Sequence, residues 1–569
     1  MKKLMIKTAL VALAGTTLCG CIEEIDPQSS TVTKEQVLKA RGAYDNLVSA
    51  ITSSLNGEFF YSGNDGTDPY DFGYPSFFLQ RDVMGQDIAC EDSGSEWYTT
   101  WYCSFSGLAP TTGRCQLPWS YYYNWIKNCN IVLSMIEGEP TKEQKVGAGI
   151  AHTMRAMFYH DLARMYAQKP YGVDKSAPTV PIINEKTTIE ESQTNARATN
   201  EVIYKFILDD LNAAEPLLAD YKRSDVYTPD LSVVYGLKAR VYLDMQDWAN
   251  AEKYAKLAQE GYTMLTKDEY LSQTSGFNKP NEAWLFGLTY RSTDPNITLN
   301  DADSSWGSQM IIEVVPSECG YSSNYVGPKR IDAHLYSTIP QSDFRRMCFI
   351  DPAIDEIYVE GASDEETEAL TQEAQVKALA AYSDDPEGLW WTGYNVSARE
   401  SVGYMPVKFR PKDGVHDNQY TAFTVAVPLM RVEEMKLIEA EAAGMQDEAR
   451  GIQLLTEFAK TRDANYTYGT HNEAYGNTAT SAFQNEVWWQ RRVEFWGEGF
   501  ATFDIKRLQK GIIRSYEGTN HPMTMRWNTQ TTPQWMNLCI IQTETNYNGA
   551  IENNPTPIAP TGDSEPFAW

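Results

Sequence analysis

Apolar residues recur three and four positions apart over much of the chain, which is the pattern of helices that bury one face. Stripes of this kind cover six segments: 122–136, 151–165, 202–218, 234–243, 430–443 and 484–508. The first stripe ends before Gly138 and the second ends near Pro170, so these two segments form a helical hairpin. The pattern predicts a mainly α fold of stacked hairpins.

The segment Val234–Ala258 carries the most specific helical pattern and is similar to a tetratricopeptide repeat. Tyr242 and Trp248 would fill the junction between its two helices. Three small residues would line the second helix: Ala251, Ala255 and Ala258. Since each repeat of this kind stacks only on its neighbours, we expect several hairpins in a tetratricopeptide-like superhelix.

From about Gly261 to Thr424 the chain is rich in Tyr, Trp, Asn, Asp, Ser and Pro, with short apolar runs at 284–288 and 310–315. This texture predicts long loop-rich insertions with a few short strands. Insertions on a repeat scaffold usually carry the binding residues. No linker-like composition follows Thr33, so we predict one unit over 36–569, with an N-terminal tetratricopeptide-like part at about 36–260 and a loop-rich and helical part at about 261–569.

The first 20 residues are typical of a secretory signal. Lys2 and Lys3 precede an apolar stretch, 8–18, that is much shorter than the roughly 20 residues a bilayer-crossing helix needs. The stretch ends at Leu18-Cys19-Gly20-Cys21, which resembles the signature of bacterial lipoproteins. We therefore predict a signal peptide at 1–20, lipidation of Cys21 and a tether at 21–35. An ordinary signal peptide with an incidental cysteine is the alternative.

The charge balance and the absence of known motifs narrow the function. A formal net charge of −28 argues against nucleic acid and against anionic lipid surfaces as partners. The six histidines have no metal-ligand spacing, and no nucleophile elbow, phosphate loop or dinucleotide fingerprint occurs. We predict a binding protein that has no cofactor and is not an enzyme. With 76 acidic residues, however, the sequence does not exclude the pair of catalytic carboxylates that a glycosidase needs.

Cysteines and acidic residues give two further hypotheses. Export permits a disulfide within one group of cysteines, but the spacing does not fix a pairing: Cys90, Cys103, Cys115 and Cys129. Cys129 also lies on an apolar stripe, as a small core residue would. An acidic turn could bind calcium through Asp65, Asp68 and Asp71, or it is simply a polar turn, which the lack of a spaced Glu favours.

Aromatic residues on predicted loops are the candidate ligand-binding site. The first group is Trp97, Tyr98, Trp101 and Tyr102, with Asp92 nearby, and the second is Tyr290, Trp306 and Tyr325. A weaker third group is Trp390, Trp391 and Tyr394. The C–H face of a sugar ring stacks on such rings, and its hydroxyls need polar partners beside them. The alternative for each ring is a place in the core or against a partner protein.

Several motifs together resemble the SusD/RagB family of outer-membrane nutrient-binding lipoproteins. They are an Arg-Ala-aromatic run at 155–159, an Asp-x-Arg turn at 343–345, an Arg-x-x-Glu helix at 431–434, and a closing motif at 491–507. The charges in these motifs lie beside apolar stripes, so we interpret them and one tyrosine as structural: Arg155, Tyr159, Arg431, Glu434, Arg491, Arg492, Glu494 and Asp504.

The resemblance implies a helical body with four tetratricopeptide-like units and a lipid anchor at the outer membrane, facing the outside of the cell. It also implies a SusC-like, TonB-dependent porin as partner, to which the protein delivers a captured nutrient. The aromatic content favours an oligosaccharide as that nutrient. Peptide capture is the alternative, and a surface glycoside hydrolase is a third.

Overall fold

A computed structural model describes residues 42–57, 70–90, 98, 108–313, 320, 322, 327–361, 364–382, 402–473, 476, 479–557 and 564–569. The chain divides into a first unit, residues 1–46, and a second unit, residues 47–569. Of the first unit only 42–46 are described, and they begin the first helix. Everything below concerns the second unit, and the boundaries proposed from the sequence stay predictions.

Helices dominate the described residues, which confirms the predicted fold class. In chain order they are α1 (Ala43–Ser53), α2 (Ser76–Val83), α3 (Gly113–Ser134), α4 (Lys142–Tyr166), α5 (Ile189–Ser192), α6 (Asn200–Leu218), α7 (Leu231–Met245), α8 (Trp248–Ala258), α9 (Lys267–Tyr270), α10 (Pro295–Thr298), α11 (Trp306–Met310), α12 (Ala333–Thr338), α13 (Asp364–Leu379), α14 (Gln419–Ala422), α15 (Val432–Gly444), α16 (Glu448–Lys460), α17 (Ala482–Glu494), α18 (Ala501–Arg507) and α19 (Gln542–Tyr547).

Successive long helices pack on one another in a series. Helix α3 packs on α4, α4 on α6, α6 on α7, and α7 on α8. Helix α8 then packs on α15, and α15 on α16 and α17, so the C-terminal helices continue the N-terminal series. This is the stacking of hairpins that the apolar stripes predict. The likeness of each hairpin to a tetratricopeptide unit stays an interpretation.

Side-chain caps mark where these helices begin. The Thr141 hydroxyl accepts from the Gln144 backbone N–H while the Gln144 side chain accepts from the Thr141 N–H, a reciprocal pair that starts α4. Asp230 caps α7 in the same position. Gln246, with φ 60°, makes the left-handed turn between α7 and α8. The three alanines predicted to line α8 are fully buried.

Four short strands form two antiparallel pairs in the described part of the chain. They are β1 (Ile88–Cys90), β2 (Trp284–Thr289), β3 (Lys329–Ile331) and β4 (Ala426–Arg431). Ile88 pairs with Ile331, and Leu288 with Val427. The apolar run at 284–288 is therefore a strand. In the run at 310–315, Met310 ends α11 and residues 311–313 are buried without forming a ladder, whereas 314 and 315 lie outside the described residues.

Within the described ranges, no helix has both the length and the apolar character needed to cross a membrane.

Candidate functional site

The structure places one described residue of the first predicted aromatic group and two of the second at Phe72. The ring centroid of Tyr98, from the first group, lies 6.4 Å from that of Phe72, and Trp306, from the second group, lies 6.5 Å from it. The Tyr290 hydroxyl donates a hydrogen bond of 2.6 Å to the Phe72 carbonyl. Loops far apart in sequence therefore meet at one residue.

Trp306 is the centre of this packing. Its ring meets Phe78 of α2 edge-on at 6.1 Å and Phe409 edge-on at 5.2 Å. We call Phe72, Phe78, Tyr98, Trp306 and Phe409 the aromatic cluster. Edge-to-face pairs at these distances add attraction beyond the burial of apolar area. The cluster is thus a packed part of the core.

The cluster residues from the predicted site do not face solvent. Tyr98, Tyr290 and Trp306 are 0%, 2% and 1% exposed. The sequence analysis places them on ligand-facing loops, but the Trp306 ring packs on Phe78 of α2 and on Phe409. The Tyr98 ring lies against Phe72, and the Tyr290 hydroxyl bonds the Phe72 carbonyl. Periodicity could not reveal those partners. In this structure the three side chains belong to the core and not to a surface.

The other predicted contacts lie outside the described residues and stay predictions: Trp97, Trp101, Tyr102, Asp92, Tyr325, Trp390, Trp391 and Tyr394. So do the lipidation site Cys21 and two of the three calcium candidates, Asp65 and Asp68. The third, Asp71, is buried and its carboxylate accepts a hydrogen bond from the Tyr121 hydroxyl. Among the residues that the structure describes, no group of three or more His, Cys, Asp or Glu side chains could hold a metal ion.

An exposed pair beside the cluster was missed by the sequence analysis. Tyr420, in α14, is 43% exposed, and its hydroxyl donates a 2.9 Å hydrogen bond to the Asp301 carboxylate. Phe423, the residue after α14, lies against Gly307 of α11, where a Cβ would be 2.4 Å from the Phe423 ring. A phenol and a carboxylate side by side at the surface are the groups that a sugar ring and its hydroxyls need.

The backbone at Asp301 is unusual. Asn300, Asp301 and Ala302 all have left-handed conformations, with φ of 47°, 54° and 63°. Each such residue costs roughly 1 kcal/mol or more outside glycine, and runs of them occur where the surroundings hold them in place. Asn and Asp tolerate this conformation best, which is the one signal of it in the sequence.

Asp303 follows directly and links a second loop to this segment. Its carboxylate accepts a 2.8 Å hydrogen bond from the Gly320 backbone N–H. Burial raises the pKa of Asp303 to about 6, although that hydrogen bond opposes the shift. Asp303 therefore changes charge close to neutral pH.

A cleft of about 250 Å³ lies elsewhere, between α3 and residues 183–185. Its polar residues bond to one another: Asn130 donates to the Ile183 carbonyl and accepts from Arg155, which also pairs with Glu185. Since these groups are already engaged, the cleft is a weaker candidate than the loops at the aromatic cluster.

The charged residues of the sequence motifs form a separate buried network. Arg431 donates to Glu498 at 2.9 Å and to Glu494 at 3.2 Å. Arg462 donates to Glu494 at 3.1 Å, and Arg345 donates to it at 3.3 Å. The network is completed by Asp343, Lys408 and Glu433. We call these eight residues the motif network, and its four cations balance its four carboxylates.

Glu494 lies at the centre of the motif network. Burial alone would raise its pKa, but the guanidinium groups of Arg462, Arg431 and Arg345 outweigh burial and hold the pKa of Glu494 well below its usual range. The carboxylate is thus ionised and fully paired. It has neither the proton nor the access of a catalytic acid.

The remaining residues interpreted as structural are also buried and bonded. Arg155 bonds Asp210 through two nitrogens at 2.8 Å, and the Tyr159 hydroxyl donates to the Ile183 carbonyl. Three further ion pairs link distant segments: Glu434 with Arg240, Arg491 with Asp504, and Arg492 with Asp87. Such placement fits a structural role for the motif charges.

Comparison with known families gives two matches. Residues 80–243 match the SusD-like family described as starch-binding and associating with the outer membrane, and residues 370–556 match the SusD family. The first match holds α3, α4, α6 and nearly all of α7, and the second holds six of the eight residues of the motif network. A comparison with curated proteins gives no match.

Solved structures share the fold. A SusD-like carbohydrate-binding protein from Bacteroides vulgatus is 20% identical, with a TM-score of 0.67 over 90% of this chain and 97% of that one. A SusD superfamily protein from Bacteroides thetaiotaomicron is 18% identical, with a TM-score of 0.64 over 92% and 100%. Surface glycan-binding protein A from the same organism, solved with laminarihexaose, is 14% identical, with a TM-score of 0.62 over 90% and 99%. With both family matches on one chain and this fold throughout, the chain belongs to the SusD/RagB family.

Proposed function

We propose that this protein captures an oligosaccharide at the cell surface and delivers it to a SusC-like, TonB-dependent porin of the outer membrane. The observation that carries the proposal is the family assignment, since one matching family is described as starch-binding and associating with the outer membrane. A protein of similar fold was solved in complex with laminarihexaose. Capture of a peptide by the same arrangement is the alternative ligand.

The loops around the aromatic cluster are the proposed binding surface. Rings at Trp97 and Trp101 would stack on sugar faces, and the exposed pair of Tyr420 and Asp301 would bond sugar hydroxyls. The buried Trp306 would hold the loops in register. A base of packed rings suits this role, because a preorganised surface loses little entropy when ligand binds.

Binding without cleavage is supported by the state of the motif carboxylates. Glycosidases use two carboxylates that flank the scissile bond, one of them holding a proton. Glu494 and Glu498 are buried and paired with cations, so neither can reach a substrate. One observation favours the hydrolase alternative: the pKa of Asp303 is raised to about 6, as an acid catalyst would require. Its carboxylate is buried and bonded to a backbone N–H, which argues against that role.

Export and anchoring complete the proposal. The signal at 1–20 would be removed and Cys21 acylated, which would hold the protein at the outer face of the outer membrane. Cys21→Ala should release the protein from membranes while its glycan affinity stays unchanged. If the Cys21→Ala variant stayed on membranes that lack the porin partner, lipid anchoring through Cys21 would be contradicted.

Calorimetric titration against a panel of oligosaccharides tests the binding role. We expect Trp97→Ala and Trp101→Ala each to weaken affinity by about tenfold or more, which corresponds to roughly 1.4 kcal/mol. Tyr420→Ala should weaken it as well, and Tyr358→Ala, at a tyrosine that is more exposed (69% against 43%), is the control. If none of these variants changes the affinity, the proposed binding surface is wrong. If no glycan binds at all, the result favours the peptide alternative, which a peptide panel would test.

A further inference from the structure

A small cavity lies where helix α2 meets helices α17 and α18. Its volume is about 20 Å³, and its lining includes Asp82 and Asp87 from the first part of the chain and Arg491, Arg492 and Asp504 from the last. A cavity of this size holds about one water molecule. The two parts fall in different family matches, so the cavity joins two segments that are recognised separately.

Arg491 brings to this cavity a charged group that is only partly paired. Its Nε–H donates a 2.7 Å hydrogen bond to the Asp504 carboxylate, and the residue is 3% exposed. Its Nη1 atom is buried and has no hydrogen-bond partner among the residues that the structure describes. Such a donor costs free energy, because it has lost the bonds to bulk water without gaining an acceptor.

Asp82 is the complementary group in the same lining. Its carboxylate accepts hydrogen bonds of 2.9 Å and 3.1 Å from the backbone N–H groups of Gly499 and Ala501. Within the described ranges, it forms no ion pair with a cationic side chain. Burial raises the pKa of Asp82 to about 7, although those two hydrogen bonds and the charge of Arg81 oppose the shift. A buried carboxylate and a buried guanidinium therefore both have bonding capacity left at one cavity.

The other charged groups of the lining are already engaged. Asp87 is bonded to Arg492 at 2.6 Å. Asp504 accepts 2.7 Å hydrogen bonds from Arg491 and Arg507. An anion in the cavity would face three carboxylates, and a metal ion would compete for them with two guanidinium groups. A water molecule fits the volume, and it can accept from a guanidinium and donate to a carboxylate at the same time.

We propose that this cavity is a water-binding site, in which one ordered water accepts a hydrogen bond from Arg491 Nη1 and donates one to the Asp82 carboxylate. The second proton of the water has acceptors in the same lining, the remaining lone pairs of Asp87 and Asp504. The water thus makes about three hydrogen bonds, as buried waters typically do. The bridge does not depend on which ligand the protein captures.

The bridge would hold α2 against the closing motif at 491–507. Helix α2 also carries Phe78, whose ring meets Trp306 in the aromatic cluster. The closing motif approaches the same helix closely at Gly499, where a Cβ would lie 2.6 Å from the Phe78 ring. Arg491 therefore has two structural roles: it pairs with Asp504 directly, and it holds α2 in place through the water.

A high-resolution crystal structure of the full-length protein tests the site directly. The electron density should show one water within hydrogen-bond distance of both Arg491 Nη1 and an Asp82 carboxylate oxygen. A direct contact between the guanidinium and the carboxylate, a water that touches only one of them, or a cavity without density would each overturn the proposal. The crystallographic test does not require any variant to fold.

A double-mutant cycle tests whether the two groups act on each other. Asp82→Asn and Arg491→Met should each lower the melting temperature, and the double variant should lose less than the sum of the two single losses, because either change alone breaks the bridge. Loss of the pair with Asp504 occurs in both Arg491 variants and cancels in the cycle. Asp82→Asn combined with Glu457→Gln, at an exposed residue of α16, is the control, and its losses should add. Losses that add for Asp82 and Arg491 as they do in the control would overturn the bridge.

Discussion

Replacing Glu494 by glutamine removes one negative charge from the centre of the motif network and keeps the size of the side chain. The carboxylate accepts hydrogen bonds from Arg431 at 3.2 Å, from Arg462 at 3.1 Å and from Arg345 at 3.3 Å. All four residues are buried. The substitution would leave four cations facing three carboxylates in a region that water does not reach.

The magnitude follows from the cost of an uncompensated buried charge. Removing one partner of a buried ion pair typically costs about 3–5 kcal/mol, because the charge that remains has lost both solvent and counter-ion. Glu494 has three cationic partners, so we place Glu494→Gln in this range and not below it. The neutral amide of the variant can still accept hydrogen bonds from cations of the motif network, so the loss of stability should not exceed this range.

Equilibrium unfolding in urea measures the effect directly. Glu457→Gln is the matched control, because Glu457 is exposed on α16 and should change the free energy of unfolding by less than about 0.5 kcal/mol. A Glu494→Gln variant as stable as the control would refute the structural account of the motif carboxylates. A structural role for Glu494 would also be refuted if the wild type turned over a saccharide and the Glu494→Gln variant lost that turnover but kept its stability.

Three other predictions follow from the structure. Gly307→Ala should lower the free energy of unfolding in urea by about 1–3 kcal/mol and weaken glycan affinity, because its Cβ would lie 2.4 Å from a neighbouring phenyl ring. The control Gly549→Ala, which has open space around it, should change neither quantity. The pKa of Glu494 is held below its ordinary 4.5, so its contribution to the free energy of unfolding is complete above that pH and is lost as the pH falls further. The difference in unfolding free energy between wild type and Glu494→Gln should therefore be constant from pH 6 to 8 and should shrink below about pH 4.5. A difference that grows in acid would contradict the assigned ionisation. Tyr420→Phe should weaken glycan binding by about 0.5–1.5 kcal/mol in calorimetry, since it removes a hydroxyl, and unchanged affinity would exclude that hydroxyl from the site.

Local periodicity was enough to predict the helical architecture but not its interruptions. The stripe at 484–508 predicts one helix, whereas the structure has two, α17 and α18. Between them Gly497 and Gly499 take φ of 77° and 81°, and a Cβ at Gly499 would lie 2.6 Å from Phe78. The stripe at 430–443 similarly includes the end of β4, because pairing with β2 decides the conformation there. In both cases contacts distant in sequence override the local pattern.

The sequence was enough to predict which residue types form the candidate site, but only part of how they are arranged. The aromatic groups near residues 98 and 306 could be found from the sequence, and of their described members Tyr98 and Trp306 both lie against Phe72. Which rings are buried depends on partners such as Phe409, which no local pattern reveals. Tyr420 was missed for the same reason, since its link to Asp301 spans 119 residues.

Binding without cleavage can be measured in a single sample of the purified full-length protein. An oligosaccharide that binds in calorimetry is incubated with the protein, and reducing ends are counted over many hours alongside the binding isotherm. The account predicts saturable binding with no increase in reducing ends, both for the wild type and for Asp303→Asn. Reducing ends that accumulate with the wild type and not with Asp303→Asn would contradict it and identify the protein as a hydrolase.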